Sequence, residues 1–218
     1  MISAVIFDVF GTIARIGQRT SPYLDLFREV RRNGCALSLD MTRMAMTTDL
    51  SFDELADRLG VELTSWKRNK LNRALQLELL SIEPYSDAVD AISRLQRAGV
   101  KTGSCSNLAA PYGPVVRKFF PEMDAYAFSY ELGVMKPEPA IYQSVCQQMG
   151  VTPGNYFNGE AGRVLMIGDS QRCDRAGPRS VGIMGYHLNR SGRGHITDLK
   201  QFAELVIAHN CVEGAARD

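Results

Sequence analysis

Val5-Ile6-Phe7-Asp8-Val9-Phe10-Gly11-Thr12 is an apolar run that ends in one carboxylate and then turns at a glycine. Ile2 to Phe7 is nearly continuously apolar and partly β-branched. That pattern suits a strand buried on both faces of a parallel sheet, since a half-exposed strand would alternate. In open α/β sheets ligands sit just beyond the carboxyl ends of the strands, so Asp8 is delivered to the edge where chemistry happens. Gly11 permits a turn that a Cβ would oppose, and Thr12 sets a hydroxyl beside whatever Asp8 touches. The plainer alternative is that Asp8 only caps the turn or helix that follows.

Beyond Thr12 the pattern turns helical. Tyr23, Leu24, Phe27 and Val30 recur at helical spacing up to a stop at Asn33-Gly34. Ser51-Phe-Asp-Glu54 is a capping-box signature for a helix through Leu55 and Leu59 to Gly60. Trp66, Leu71, Leu75, Leu77, Leu79 and Leu80 predict a longer helix buried on more than one side. No strand candidate interrupts Pro22 to Ile82, so residues 16–82 are expected to form a small all-helical domain inserted into a core of residues 1–15 and 83–218.

From Pro84 strand and helix alternate. Val89, Ile92 and Leu95 line a helix that Gly99 ends, and Val100 to Cys105 reads as a strand. Pro111 to Phe120 predicts a helix, Ala125 to Ser129 a third strand, and Pro137 to Met149 a helix with Ile141, Val145 and Met149 on one face. Val164 to Ile167 is a second continuous apolar run, ending at Gly168-Asp169; a helix around Arg172 to Ser180 and a strand from Val181 to Tyr186 follow. Thr152 to Gly162 and Asn189 to Gly194 read as linkers, and Glu213 to Asp218 as a frayed tail. The alternation implies an α/β fold with a doubly wound parallel sheet.

A chain of 218 residues can bury a full core. Its net charge of +1 offers no field for nucleic acid or an anionic membrane. No apolar stretch approaches the ~20 residues of a membrane helix, and the N-terminus lacks the regions of a signal peptide. Cys35, Cys105, Cys146, Cys173 and Cys211 are scattered without C-x-x-C spacing. A cytoplasmic protein with reduced thiols is expected, in which Cys105 and Cys173 serve as small apolar filler. His187, His195 and His209 show no ligand spacing, and Arg172, Arg175 and Arg179 suit a solvated helix face.

Three further polar clusters fall at strand ends: Ser106-Asn107, Lys136, and Asp169 with Asp174. Singly, Ser106 could cap a helix, Lys136 could be solvated, and the two aspartates could be turn and first-turn acids. Together they occupy one edge of one sheet. Asp8-Val-Phe-Gly-Thr12, Ser106-Asn107, Lys136-Pro-Glu-Pro-Ala-Ile-Tyr142 and Gly168-Asp169-Ser-x-x-x-Asp174-x-x-Gly177 resemble the four ordered motifs of the haloacid dehalogenase (HAD) superfamily of hydrolases, over roughly residues 2–188. The helical insertion between the first two motifs is similar to that family's helical cap.

The resemblance implies a hydrolase in which Asp8 forms a covalent aspartyl intermediate. Ser106 would bind oxygens of the transferring group, and Lys136 would keep Asp8 ionised and neutralise developing charge. Thr12 and Asn107 would steady the loop and the group transferred. Mg²⁺ would be held by Asp8, Asp169 and the backbone carbonyl of Phe10, with Asp174 in support. The expected partner is a small phosphorylated metabolite, and the chain would work as a monomer or homodimer.

One position departs from the pattern. Family phosphatases carry a second aspartate two residues after the nucleophile, where this chain has Phe10. No proton can be exchanged there, so a contribution of roughly 10² to 10⁴ in rate is lost or supplied elsewhere. Metal-independent 2-haloacid dehalogenases often have an aromatic residue at that place, and the Lys136 to Tyr142 segment leans towards them. Asp169 argues against them, because they resemble Ser-x-Asn where this chain has Asp169-Ser170-Gln171. Such an enzyme would need an arginine for the substrate carboxylate, with Arg15, Arg28, Arg31 and Arg32 as candidates. A phosphonate-cleaving relative would need a cap lysine, for which Lys67 and Lys70 are available. A third alternative is a non-hydrolytic HAD-fold binding protein that lost turnover with the change to Phe10.

Overall fold

The computed structural model describes residues 1–34, 39–154 and 163–215. Cys35, most of the expected linker up to Gly162, and the last three residues of the expected tail lie outside the described residues. The chain enters through β1 (Ile2–Phe7), in which Ala4, Val5, Ile6 and Phe7 are wholly buried. Side chains alternate across a strand, and both faces of β1 are covered. Val5 and Phe7 join one apolar cluster, while Ala4 and Ile6 join a second with Ile141, Val145 and Met149. Burial of each large apolar side chain here contributes about 1.5–3 kcal/mol.

After β1 the chain forms β2 (Ala14–Ile16), then α1 (Pro22–Arg32), α2 (Leu39–Thr47), α3 (Phe52–Arg58) and α4 (Ser65–Leu80), and returns through β3 (Ile82–Pro84). The two short strands pair antiparallel, Arg15 opposite Glu83 and Ile16 opposite Ile82. Such a three-residue ribbon carries no readable periodicity, and sequence reasoning missed it. The capping box that starts α3 is present in full: Glu54 N donates to Ser51 Oγ at 3.3 Å, and Ser51 N donates to Glu54 Oε2 at 2.8 Å.

The core resumes with α5 (Ser86–Arg97), β4 (Lys101–Ser106), α6 (Gly113–Phe119), β5 (Ala125–Phe128), α7 (Ser129–Leu132), α8 (Pro139–Met149), β6 (Arg163–Gly168), β7 (Met184–His187) and α9 (Leu199–Ala215). The five core strands are parallel in the order β5-β4-β1-β6-β7, the expected doubly wound sheet. α5 and α9 pack on one face of it and α8 on the other. Successive strands run outwards from β1 to β5, then cross back to β6. The winding therefore reverses between β1 and β6, and ligands bind in the crevice at such a switch point. Asp8 and Asp169 leave the two strands that form it.

Several sequence expectations are corrected. α4 is not buried on more than one side: Trp66 is 68% exposed and Leu80 82%, and only the stripe Leu71, Leu75 and Glu78 is buried. α4 packs along one side against α1 and α3, which leaves its other side in solvent. Val89 and Leu24 likewise face solvent, while Ala88, Ala91, Ile92 and Leu95 carry the α5 contact and Leu26, Phe27 and Val30 that of α1. The expected helix at 172–180 is a π-helical turn (Gln171–Ala176) followed by a 3₁₀ turn (Gly177–Val181), and β7 starts three residues later than expected. The helix expected from Pro111 opens as a 3₁₀ turn (Ala110–Tyr112), and Ser129 begins α7 where the third strand was extended to it. Glu213, assigned to the tail, lies in α9 and faces Arg163 and His209. No helix among the described residues is long and apolar enough to cross a membrane.

Candidate active site

At the carboxyl edge of the sheet the four clusters converge on one lysine. Asp8 N donates to Ile167 O at 3.0 Å, extending the β1–β6 pairing by one residue and fixing where the carboxylate emerges. Asp8 Oδ1 accepts from Ser106 Oγ at 2.8 Å and from Lys136 Nζ at 2.7 Å. Lys136 Nζ also donates to Asp174 Oδ1 at 2.6 Å. Ser106 is therefore not a helix cap, and Lys136 is not solvated: it is 4% exposed.

Two glycines make the approach possible. Gly11 has φ +81°, and a Cβ there would stand 2.3 Å from Asp169 Oδ2. A Cβ on Gly168 would stand 2.3 Å from Asp174 Oδ2. Each would push a carboxylate out of the cluster. Asp174 is further fixed by Ser170 N, which donates to its Oδ2 at 2.9 Å, and Tyr142 OH holds the π-helical turn through Cys173 O at 2.5 Å. Asn107 acts on the lysine's backbone: its Oδ1 accepts from Lys136 N at 2.7 Å and its Nδ2 donates to Lys136 O at 3.0 Å. Thr12 Oγ1 is buried without a hydrogen-bond partner, an arrangement that costs about 1–3 kcal/mol unless a bound group meets it.

The electrostatics of the cluster are unbalanced. Carboxylate oxygens of Asp8, Asp169 and Asp174 lie within 4.8 Å of one another, and the one ammonium beside them bonds to Asp8 and Asp174. Two negative charges remain. Burial alone would pull the Lys136 pKa down, but the charges of Asp8 and Asp174 outweigh it and hold the ammonium firmly protonated. Burial and then the Asp8 charge raise the Asp169 carboxyl. The same two causes push Asp174 up to about 6 despite its bond to Lys136. Three hard oxygen donors with a double negative excess are a donor set that could hold a divalent cation.

Phe10 is partly buried against the larger apolar cluster. Its ring meets Tyr112 edge-on, with centroids 5.7 Å apart, and Tyr112 OH donates to Glu78 Oε1 at 2.8 Å. Glu78 Oε2 accepts from Thr20 N and Ser21 N, both at 2.8 Å. Burial would raise that carboxyl, but the hydrogen bonds from Ser21, Tyr112 and Thr20 prevail and hold it low. Sequence reasoning missed Glu78 and Tyr112. The available signal was an acidic residue on the Leu71–Leu75 stripe of α4.

The remaining candidates fall outside the cluster. Arg15 pairs with Glu83 on the ribbon, Arg28 and Arg32 pair with acids of their own helix, and Arg31 is exposed at its end. Lys67 pairs with Glu29 and Lys70 lies over the Trp66 ring. Cys105 is fully buried and burial pushes its thiol up to about 12, which makes it inert filler as expected. Arg172 and Arg175 are exposed. His187 lies nearer the site than expected, its Nε2 3.0 Å from the Asp169 carbonyl oxygen.

A family described as haloacid dehalogenase-like hydrolase matches residues 2–182. Among similar proteins, a glyceraldehyde 3-phosphate phosphatase from Methanopyrus kandleri is 26% identical over 87% of this chain and 85% of its own. An (S)-2-haloacid dehalogenase from Burkholderia cepacia is 25% identical over 88% of this chain and 84% of its own. A HAD family enzyme from Bacteroides thetaiotaomicron, solved in complex with magnesium and inorganic phosphate, superposes with a TM-score of 0.61 at 16% identity, covering 89% of this chain and 98% of that one.

Proposed function

The chain belongs to the haloacid dehalogenase-like hydrolases, and from that premise we propose that it is a cytoplasmic, Mg²⁺-dependent hydrolase that transfers the phosphoryl group of a small phosphorylated metabolite through Asp8. The observation that carries this reading is the surplus of negative charge around Lys136, which a divalent cation would neutralise. Relatives include a phosphatase, and a fold neighbour holds magnesium with phosphate. Residues 16–82 serve as the cap and residues 1–15 and 83–218 as the core, a division supported by the β2–β3 ribbon through which the chain leaves and returns.

Among the described hydrogen bonds both contacts to Asp8 fall on Oδ1, so Oδ2 is the attacking oxygen. The Oδ2–P bond forms as the bond from phosphorus to the leaving oxygen breaks, and that oxygen departs with the electron pair. Ser106 Oγ and Lys136 Nζ orient the carboxylate and oppose charge on the phosphoryl oxygens. Water oxygen then bonds to phosphorus as the Oδ2–P bond breaks, which restores the Asp8 carboxylate and releases inorganic phosphate, with the water proton passing to the phosphate or to solvent. Bound at Asp8, Asp169, Asp174 and the Phe10 carbonyl, Mg²⁺ would supply the charge neutralisation that lets a dianion meet an anionic nucleophile.

Phe10 offers no proton, so the leaving group suited to this site is one stable as an anion, such as an aryl or acyl phosphate. An aryl phosphate is expected to turn over faster than a simple alkyl phosphate by roughly 10² to 10⁴ in kcat, the contribution of the missing acid. Equal rates for the two would sink this part of the reading.

The metal has a readout that needs no turnover. An acid whose carboxyl is raised in the folded state holds more protons folded than unfolded, so metal-free stability falls as pH rises through the window. For Asp174 that window runs from the ordinary value of about 3.9 up to about 6, and the Asp169 carboxyl is raised in the same direction. Mg²⁺ binds the ionised carboxylates. Thermal melts should therefore show a Mg²⁺-dependent rise in Tm above pH 6 that shrinks below it, whereas no rise at neutral pH would contradict the metal reading.

The second reading, a metal-independent 2-haloacid dehalogenase, has Phe10 and the dehalogenase relative in its favour. It leaves three clustered carboxylates to share the single charge of Lys136, and of the arginines offered for a substrate carboxylate Arg15, Arg28 and Arg32 are paired with acids elsewhere.

A further inference from the structure

The turn that follows Asp8 satisfies part of its backbone internally and part through Tyr85. Val9 O accepts from Thr12 N, Ile13 N and Ala14 N, Gly11 N donates to Ala14 O, and Ile13 O accepts from Tyr85 N. The carbonyl of Thr12, a wholly buried residue, is met from outside the turn by Arg190, whose Nη2 donates to it at 2.6 Å. Arg190 has two further anchors. Its Nη1 pairs with Asp87 Oδ2 at 3.0 Å, an oxygen that also accepts Leu199 N, and its guanidinium lies 3.8 Å over the Tyr85 ring. Its Nε is buried without a partner, a cost that an arginine free to swing into solvent would avoid.

The loop that carries Arg190 is tied to the opposite side of the crevice. Leu188 N donates to Gly168 O at 2.8 Å, one residue before Asp169. Arg190 thus spans from the strand end that bears Asp169 to the turn that bears Asp8. A planar guanidinium held at three points fixes distance and angle together, which a lysine cannot do.

We propose that Arg190 is a positioning residue that sets the nucleophile turn against the Asp169 strand end, through the Thr12 carbonyl and the Tyr85 and Asp87 anchors. The inference rests on the reading of Asp8 as nucleophile, and it assigns a role to a stretch that sequence reasoning took for a linker. A misplacement of about 1 Å at a reacting centre costs on the order of 10²-fold in rate, so the effect belongs in kcat. A residue that acts only through the turn should leave KM unchanged.

The test uses the full chain with Arg190→Met and Arg190→Lys, reading steady-state aryl phosphate hydrolysis with Mg²⁺ and hydrogen exchange of the amides of residues 10–14. Arg190→Met is expected to lower kcat roughly 10- to 100-fold with KM within about twofold. It should speed exchange of those amides on the order of tenfold, the factor that one charge-assisted hydrogen bond supports. Arg190→Lys, which keeps the charge and one donor, should fall between. An unchanged kcat with an unchanged turn would overturn the proposal, as would a loss carried by KM alone. If the parent protein releases no phosphate, the reading of Asp8 fails on that result. Exchange then decides separately whether Arg190 holds the turn, and unchanged protection in both variants overturns it.

Discussion

Replacing Asp8 by Asn is expected to lower phosphate release by roughly 10⁴-fold or more, the scale on which removal of a nucleophile acts, while the protein still folds. Asparagine keeps the shape of the side chain and can still accept from Ser106, whose hydroxyl stands 2.8 Å from Asp8 Oδ1. Lys136 keeps its bond to Asp174. What is lost is the charged oxygen that, on the proposed function, attacks phosphorus. Steady-state kinetics beside a thermal melt separate the two effects. A variant that retains more than about a hundredth of the activity would place the nucleophile elsewhere.

Lys136→Met should be the most damaging single change to stability, and it should slow the reaction as well. Lys136 bridges Asp8 and Asp174 at 2.7 and 2.6 Å in a site from which solvent is almost excluded. Removing one partner from a buried ionic group costs about 3–5 kcal/mol, because the remaining charges are left uncompensated. For a chain of this size each kcal/mol lowers Tm by roughly 2–4 °C. The rate should fall a further 10² to 10³-fold or so, as for loss of a group aimed at transition-state charge. Adding Asp174→Asn to Lys136→Met removes one of the stranded carboxylates and should restore part of the stability. No recovery in that pair would mean that the lysine matters for packing and not for charge.

The core was legible because its signals are dense. The continuous apolar runs at Ile2–Phe7 and Val164–Ile167 became the two central strands, and Asp8, Ser106 and Asp169 fell at strand ends, whereas Lys136 reaches the same edge from the loop between α7 and α8. Asp8, Ser106, Lys136, Asp169 and Asp174 were all brought to one place. What was missed depends on contacts between segments distant in sequence. The ribbon is three residues wide, and the exposure of Trp66 and Leu80 follows from α4 having neighbours along one side only. Glu78 was passed over in the sequence, and only the fold sets Tyr112 and the Thr20–Ser21 amides against it. Arg190 lay in a stretch rich in turn residues, and only the fold shows that it reaches Thr12.

The phosphatase reading and its dehalogenase alternative differ in what Asp169 is for, and one assay separates them. Hydrolysis of an aryl phosphate and of (S)-2-chloropropionate is followed in parallel, each with Mg²⁺ and with EDTA, using Asp8→Asn as the blank. The account predicts phosphate release that requires both Mg²⁺ and Asp8. Chloride release that persists in EDTA would contradict it.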